Sequence, residues 1–313
     1  MKRKVTLVIP SLNEEDGIPN LHDTLLHLIE ELSERNFLLE LIFVDNHSDD
    51  YTVDLISKLK FPKEVQVKLF ALNRNYGLQR SILFGTTKAS GDCLILFQSD
   101  LQDPPETVLR MIENWVLGAK IVAGVSNKRN EKRLVLVTSG LFYKFINIFT
   151  DIRIVPWFQD FFLLDRSVYE DLGRRINHYE FLRGRLVDEF GVDSFVFYER
   201  LPRQSGRSNY NFASRYSVAM DGITKYGTKI IRRLVITTFG FSFLSFSFLT
   251  LSMFFQFMSF APILGDLQFW LLMTALCVGL SLISFGLEFL SRILKLSSNL
   301  NTNIHFMEVR NDS

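Results

Sequence analysis

The sequence predicts an α/β protein, a doubly wound sheet with helices on both faces, followed by juxtamembrane amphipathic helices and two transmembrane helices. Three observations carry this reading. Short, almost wholly apolar runs alternate with longer stretches of helical character, as parallel strands covered on both faces require. No charged residue occurs over residues 234–265 or 267–287, and each stretch exceeds the ~20 apolar residues that cross a bilayer core. Many of the 30 phenylalanines lie beyond Phe239, so the composition changes where the apolar stretches begin.

Taken in order, Met1-Lys2-Arg3-Lys4 precedes an apolar run that superficially looks like a secretory leader. That run is too short and Pro10 ends it, so residues 5–10 are expected as the first strand. Further strands are expected at 41–45, 67–72, 93–98 and 121–125, with helices starting near Ile18, Thr52, Leu78 and Pro105. Residues 211–233 combine apolar Val218, Ile223, Ile230 and Ile231 with cationic Arg215, Lys225, Lys229, Arg232 and Arg233. Such a helix lies at the headgroups with its basic face on anionic lipid, and the same charges also serve as ordinary topogenic signals. Arg292 and Lys295 follow the second apolar stretch. Positive charge on both flanks places both in the cytoplasm and the connection at 259–266 outside. The expected organisation is a cytoplasmic head at 1–210, a juxtamembrane segment at 211–233, two membrane spans within 234–290 and a cytoplasmic tail at 291–313.

Composition excludes several classes. A net charge of +1 with 22% charged residues provides no basic field for nucleic acid. Cys93 and Cys277 are the two cysteines, each in an apolar run, which rules against a disulfide scaffold or a thiolate metal site and suits a reducing compartment.

In doubly wound sheets ligands bind beyond the carboxyl ends of the strands, and polar residues gather there. The first strand leads into Pro10-Ser11-Leu12-Asn13-Glu14-Glu15, the second into Asp45-Asn46-His47-Ser48-Asp49-Asp50, and the fourth into Ser99-Asp100-Leu101-Gln102-Asp103-Pro104-Pro105-Glu106. Asp100 and Asp103, with the amide oxygen of Gln102 between them, offer the hard oxygen ligands that Mg²⁺ takes alongside a substrate's phosphates. Asp103 serves equally as an acid at the N-terminus of the helix that Pro104-Pro105 opens. Asp45 and Asn46 can accept hydrogen bonds from a ribose or base, or simply form a turn. Arg74 after the third strand can meet phosphate oxygens or remain a solvated charge.

Together, Val8-Ile9-Pro10 through Asn13-Glu14-Glu15, Val44-Asp45 with Ser48-Asp49, Arg74-Asn75-x-Gly77, Gly91-Asp92 and Asp100-Leu101-Gln102-Asp103-Pro104-Pro105-Glu106 stand in the order and spacing of family-2 glycosyltransferases of GT-A fold. Asp160-Phe161-Phe162-Leu163-Leu164-Asp165-Arg166, Tyr198-Glu199-Arg200 with Arg203, Gly206 and Ser208 to Tyr210, and Asp221-Gly222-Ile223 extend the match. The chain resembles the polyprenyl-phosphate glycosyltransferases, relatives of dolichol-phosphate mannose synthase and of the bactoprenol glucosyltransferases. That resemblance implies inverting transfer of a sugar from a nucleotide-diphosphate donor, UDP-glucose or a related UDP-hexose with GDP-mannose as the alternative, to polyprenyl (undecaprenyl) phosphate. It implies Pro10, Asn13, Glu14, Asp45 and Asp100 in the donor-binding set, to which the residues themselves add Arg74 at the phosphates and Gln98, through its amide, at the ribose. Asp100 and Gln102 would hold a divalent cation, Mg²⁺ or Mn²⁺. Asp160, a candidate base or positioning group, would work with Arg200 and Arg203, which meet lipid or donor phosphates. It further implies a multi-pass protein of the inner cell membrane and a homo-oligomer, plausibly a tetramer. The chain departs from the family at Gln98 and Asn46, where Asp is usual, at His47, where Gly is usual, and at Asn209, where Lys is usual. Those departures bear on metal affinity and on donor choice. Transfer to a different lipid or glycan acceptor and a catalytically silent scaffold are the competing readings.

Overall fold

Strand β1 (Arg3–Ser11) is buried from Val5 to its end, and β2 (Phe37–Asp45) from Leu39 to its end. Continuous apolar runs of this kind need cover on both faces, and they have it. In the computed structural model, which describes residues 2–127, 158–174, 182–202, 228–257, 267–297 and 304–312, the further strands are β3 (Gln66–Leu72), β4 (Cys93–Leu96), β5 (Ile121–Asn127), β6 (Phe158–Asp165), β7 (Ser194–Glu199) and β8 (Phe306–Asp312). Their order across one sheet is β7-β5-β6-β4-β1-β2-β3-β8.

The helices of this body are α1 (Ile18–Glu34), α2 (Thr52–Ser57), α3 (Leu78–Lys88), α4 (Pro105–Val116), α5 (Arg166–Arg174) and the short α6 (Leu182–Arg185). Leu21, Leu25 and Leu28 of α1 share one apolar cluster with Met111, Ile112 and Trp115 of α4. Ile82, Leu83 and Phe84 of α3 share the other with Val168, Tyr169 and Leu172 of α5. The first four helices begin at the residues expected from sequence. Pro at the first turn explains two of those starts, because its ring presets φ and its missing N–H is no loss there.

Two features of the sheet differ from a purely parallel expectation. Strand β6 is antiparallel to both β4 and β5, and Asp160 sits inside it. The last strand is the larger surprise. β8 pairs antiparallel with β3 along Val67 to Leu72, where the sequence was read as a tail. Its residues alternate weakly and are mostly exposed, as an edge strand allows, so no run of apolar residues announced it. The Phe306 ring lies 5.6 Å from Phe70 and 4.8 Å from Phe84, with the Lys88 ammonium 4.3 Å above it. Phe306→Ala is therefore expected to lower stability by about 1–2 kcal/mol, the low end for two ring pairs and one cation–π contact because the ring is 40% exposed. Thermal unfolding of the full chain measures it, and a shift within error shows β8 to be energetically idle.

A second compact unit comprises residues 145–151 and 219–299. Its described part is a pair of helices, α7 (Thr228–Phe257) and α8 (Leu267–Ser297). Ser242 meets Ser281 and Ser245 meets Thr274, each at 2.9 Å, which pins the pair together. Phe239, Phe241, Phe243, Leu272 and Leu282 are among their many exposed apolar side chains. Among the described residues one stretch, Leu271–Ser291, is long and apolar enough to cross a membrane, and the apolar stretch of α7, Val235–Leu251, is shorter. The expected juxtamembrane segment at 211–233 lies largely outside the described residues, as does Asn209.

Candidate functional site

The carboxyl ends of β1, β2 and β4 open into loops tied to one another. Asn13 N–H donates to Ser48 Oγ at 2.9 Å, and Asp49 N–H returns a bond to Asn13 Oδ1 at 2.9 Å. Glu14 N–H donates to Thr52 Oγ1 at 2.9 Å, Asn46 N–H to Ser11 O at 2.9 Å, and Ser99 Oγ–H to Pro10 O at 3.1 Å. Sequence-selected Pro10, Asn13, Glu14 and Asp45 thus line adjoining loops. Glu14 and Asp45 are buried.

Asp45 takes two bonds from Ser48, one from its N–H at 2.9 Å and a shorter one from its hydroxyl. Burial pushes its carboxyl above the usual range, and the Ser48 bonds offset part of that. The turn-forming and ligand-binding readings of Asp45 are compatible, because a carboxylate offers about four acceptor positions and Ser48 and the His47 N–H leave one open.

Backbone strain concentrates here. Asn13 (φ 54°), His47 (φ 70°) and Leu101 (φ 51°) all adopt left-handed conformations in these loops. Such outliers cost free energy and persist where surrounding structure imposes them, often at functional sites. The φ of His47 also explains why glycine is at home at its position. His47→Gly is expected to stabilise the fold by about 1 kcal/mol through relief of that strain. Denaturant unfolding would read it, and a destabilised variant removes the explanation.

Asn46 has a structural task that aspartate could not perform. Its Nδ2 donates to Asn75 Oδ1 at 2.8 Å while its Oδ1 accepts from Tyr76 N–H at 2.9 Å, so it clamps the loop after β3 with both ends of its amide. Gly77, at φ 88°, ends that loop and starts α3. Arg74 itself is exposed and stacks over the Tyr76 ring at 4.7 Å. It flanks the site through its loop.

The remaining selected residues converge beyond β4 and β6. Gln98 donates from Nε2 to Asp160 O at 3.0 Å, which commits one amide hydrogen and leaves Oε1 for a ligand. Asp160, buried, receives Gln79 Nε2 at 3.2 Å on Oδ2 and faces Arg183 Nε at 3.3 Å through Oδ1. Neither Gln79 nor Arg183 was foreseen, because nothing in their own sequence surroundings points to a carboxylate 81 residues from Gln79. Arg200 reaches Gln159 Oε1 at 3.5 Å and Asp103 Oδ1 at 3.6 Å. Arg203 lies outside the described residues.

Asp103 is not the helix cap that sequence allowed. The position before α4 is Pro104, and no side chain caps it. Asp103 is instead buried and accepts the Tyr198 hydroxyl at 2.5 Å. Burial drives its carboxyl up to about 6, against the pull of Arg200 and Tyr198, with Asp100 and Asp160 adding to the rise.

The cation expected at Asp100 and Gln102 can be tested against the local hydrogen bonds. Asp100 Oδ1 accepts Gln102 N–H at 3.3 Å, and Gln102 Nε2 donates to Leu201 O at 3.4 Å. With its nitrogen so engaged, Gln102 keeps its amide oxygen for another partner. Among the described residues there is no group of three His, Cys, Asp or Glu able to enclose a metal. Mg²⁺-type ions on nucleotides need no such cage, since one or two protein oxygens suffice when phosphates supply the rest. The residues present fit that mode.

Residues 6–173 match the model of the glycosyl transferase family 2. The chain is 33% identical over 247 residues to the bactoprenol glucosyl transferase of Shigella phage SfX, covering 79% of each. It is 32% identical over 230 residues to the prophage bactoprenol glucosyl transferase homolog of Escherichia coli strain K12, covering 73% of this chain and 74% of that one. In three dimensions it is similar to mannosyl-3-phosphoglycerate synthase from Rubrobacter xylanophilus, with a TM-score of 0.52 at 16% identity over 74% of this chain and 75% of that chain. That likeness concerns the fold.

Proposed function

The chain belongs to glycosyl transferase family 2, and from that premise we propose that it moves a hexose from a nucleotide-diphosphate donor, UDP-glucose foremost, to the phosphate of a polyprenol, with inversion at the anomeric carbon. The observation that carries this reading is the meeting of the Asp100–Asp103 loop with Asp160 and Arg200 at the strand ends, in a chain whose relatives over most of its length are named for bactoprenol glucosyl transfer.

The division of labour is the one the resemblance implies, and the geometry is compatible with it. Pro10, Asn13, Glu14 and Asp45 hold the nucleotide, with Gln98 Oε1 available to a ribose hydroxyl. Asp100 and Gln102 would hold the cation, which when bound would offset negative charge on the departing diphosphate. Arg200 would meet phosphate oxygens, and Arg203 takes the same role from the resemblance alone. A polyprenyl phosphate is already anionic at neutral pH, so little proton abstraction is needed. Asp160, engaged by Gln79 and Arg183, then orients the acceptor more than it deprotonates it.

We read α7 and α8 as a membrane-crossing hairpin. Their exposed phenylalanines and leucines suit lipid, and Arg232 and Arg233 near the start of α7 and Arg292 and Lys295 near the end of α8 bound the apolar stretches on what would be the cytoplasmic side. An acceptor held in the bilayer gives such an anchor its purpose.

The direct test supplies detergent-purified protein with labelled UDP- or GDP-sugars, undecaprenyl phosphate and Mg²⁺ or Mn²⁺, and counts lipid-extractable label. UDP-glucose is expected to give label. Label from GDP-mannose alone reassigns the donor, and no label from any donor removes the reading.

A further inference from the structure

We propose that Asp103, together with Tyr198, is a positioning residue that aims the Arg200 guanidinium at a phosphate group of the bound substrates. The proposal rests on the transferase reading for the identity of those phosphates, and on the local geometry for everything else.

Asp103 is 2% exposed. A buried carboxylate that caps no helix and meets no solvent needs compensation, since an isolated buried charge is strongly unfavourable. Its compensation comes from β7 and the residues after it. The Tyr198 hydroxyl donates to Oδ1 at 2.5 Å, and Arg200 Nε lies 3.6 Å from the same oxygen. Oδ2 is buried and makes no hydrogen bond, so the carboxylate has capacity for a closer approach of the arginine.

The same segment is stitched to the cation loop twice more. Leu201 N–H donates to Gln102 O at 2.8 Å, and Gln102 Nε2 donates to Leu201 O at 3.4 Å. Residues 100–103 and 198–201 therefore form one hydrogen-bonded body, although they lie almost a hundred positions apart. Arg200 remains one-third exposed, with Nη1 directed to Gln159 beside Asp160. Holding its Nε side against Asp103 leaves the outer edge of the fork for a ligand. An arginine immobilised in this way gives up less rotamer freedom when it meets a phosphate, and the saving appears as affinity. Because the body that holds it also carries Asp100 and Gln102, the fork and the cation loop keep a fixed spacing.

The phosphate that Arg200 meets belongs either to the nucleoside diphosphate or to the lipid acceptor, and a binding cycle on the full chain in detergent separates them. Wild type, Asp103→Asn, Arg200→Ala and the double variant are titrated with UDP plus Mn²⁺, with GDP plus Mn²⁺, and with farnesyl phosphate. Asp103→Asn is expected to weaken one of these probes about tenfold in the wild-type background and less than about twofold once Arg200 is gone, the non-additivity of residues acting as a unit. The probe that responds identifies the phosphate. Tyr198→Phe is expected to weaken the same probe about threefold with the same non-additivity, and it replaces Asp103→Asn should that protein fail to fold. Equal losses on both backgrounds would mark Asp103 as merely structural, and an Arg200→Ala variant that binds every probe normally overturns the assignment outright. A wild type that shows the coupling yet transfers no sugar counts against the transferase reading alone.

Discussion

Asp100→Ala is expected to lower sugar transfer about 10³-fold, a loss of about 4 kcal/mol of transition-state stabilisation, while leaving the fold intact. The departing nucleoside diphosphate gains negative charge as the glycosidic bond breaks, and the largest catalytic contribution comes from whatever neutralises that charge in place. On the proposed reading, Asp100 and Gln102 are the oxygen donors that the β4 end would present for this purpose. Few other protein ligands are at hand among the described residues, so deleting the one carboxylate closest to the strand removes most of the protein's hold on the ion. Structurally the change is mild. Asp100 is half-buried and its one local bond, from Gln102 N–H at 3.3 Å, is long. Circular dichroism and the unfolding midpoint should match wild type, while kcat with saturating donor and Mn²⁺ collapses. Chelation of the wild type should reproduce the loss. Transfer within tenfold of wild type in the variant would mean that Asp100 does not hold the ion.

The helix starts were legible because each is written locally. Pro19 and Pro105 sit in first turns and Gly77 supplies a left-handed φ before α3. The parallel strands were legible because burial on both faces demands unbroken apolar runs. β8 was not, since an edge strand pairing by backbone alone leaves no such run, and its partner β3 lies over two hundred residues upstream. The strand at Asp160 was similarly hidden, as its polar residue reads like a turn until β4 and β5 are seen on either side.

The site divides along the same line. Asp45, Asp100 and Gln102 stand out in the sequence because loops after buried strands are where an α/β sheet presents ligands. Partners that cross between distant segments were beyond reach. Gln79 and Arg183 on Asp160, and Tyr198 on Asp103, are matters of tertiary packing. The departures at Asn46 and His47 gain their meaning only from geometry, one as a two-ended amide clamp and the other as a strained left-handed residue.

The largest effect on stability is expected where no ligand binds. Glu40 is fully buried in the middle of β2, facing Thr6 across the β1 register. Its carboxylate takes the Lys68 ammonium at 2.8 Å, the Thr6 hydroxyl at 2.5 Å, and Ser90 through N–H at 2.8 Å and hydroxyl at 2.9 Å. Burial pushes this carboxyl up, but Lys68, Thr6 and Ser90 together outweigh it and hold it below its usual 4.5. A carboxyl depressed in the folded state contributes stability above that usual value and loses it as pH falls through the depressed one. Lys68→Met is expected to tip the balance toward burial, since it removes the largest of the causes that oppose it. With the ammonium gone, the buried Glu40 carboxylate keeps only the neutral donors Thr6 and Ser90 and no opposite charge, and the cost is about 3–5 kcal/mol, a large share of a total that is about 5–15. The sign of the pH dependence then inverts: between pH 8 and pH 5 the variant should regain stability relative to wild type, because its Glu40 protonates more readily than the unfolded chain's. Adding Glu40→Gln to Lys68→Met should recover part of the loss at pH 8 and abolish the inverted slope. Urea unfolding of the three proteins at both pH values decides it, and a Lys68→Met deficit that is the same at pH 5 as at pH 8 would show that the buried charge is not its source.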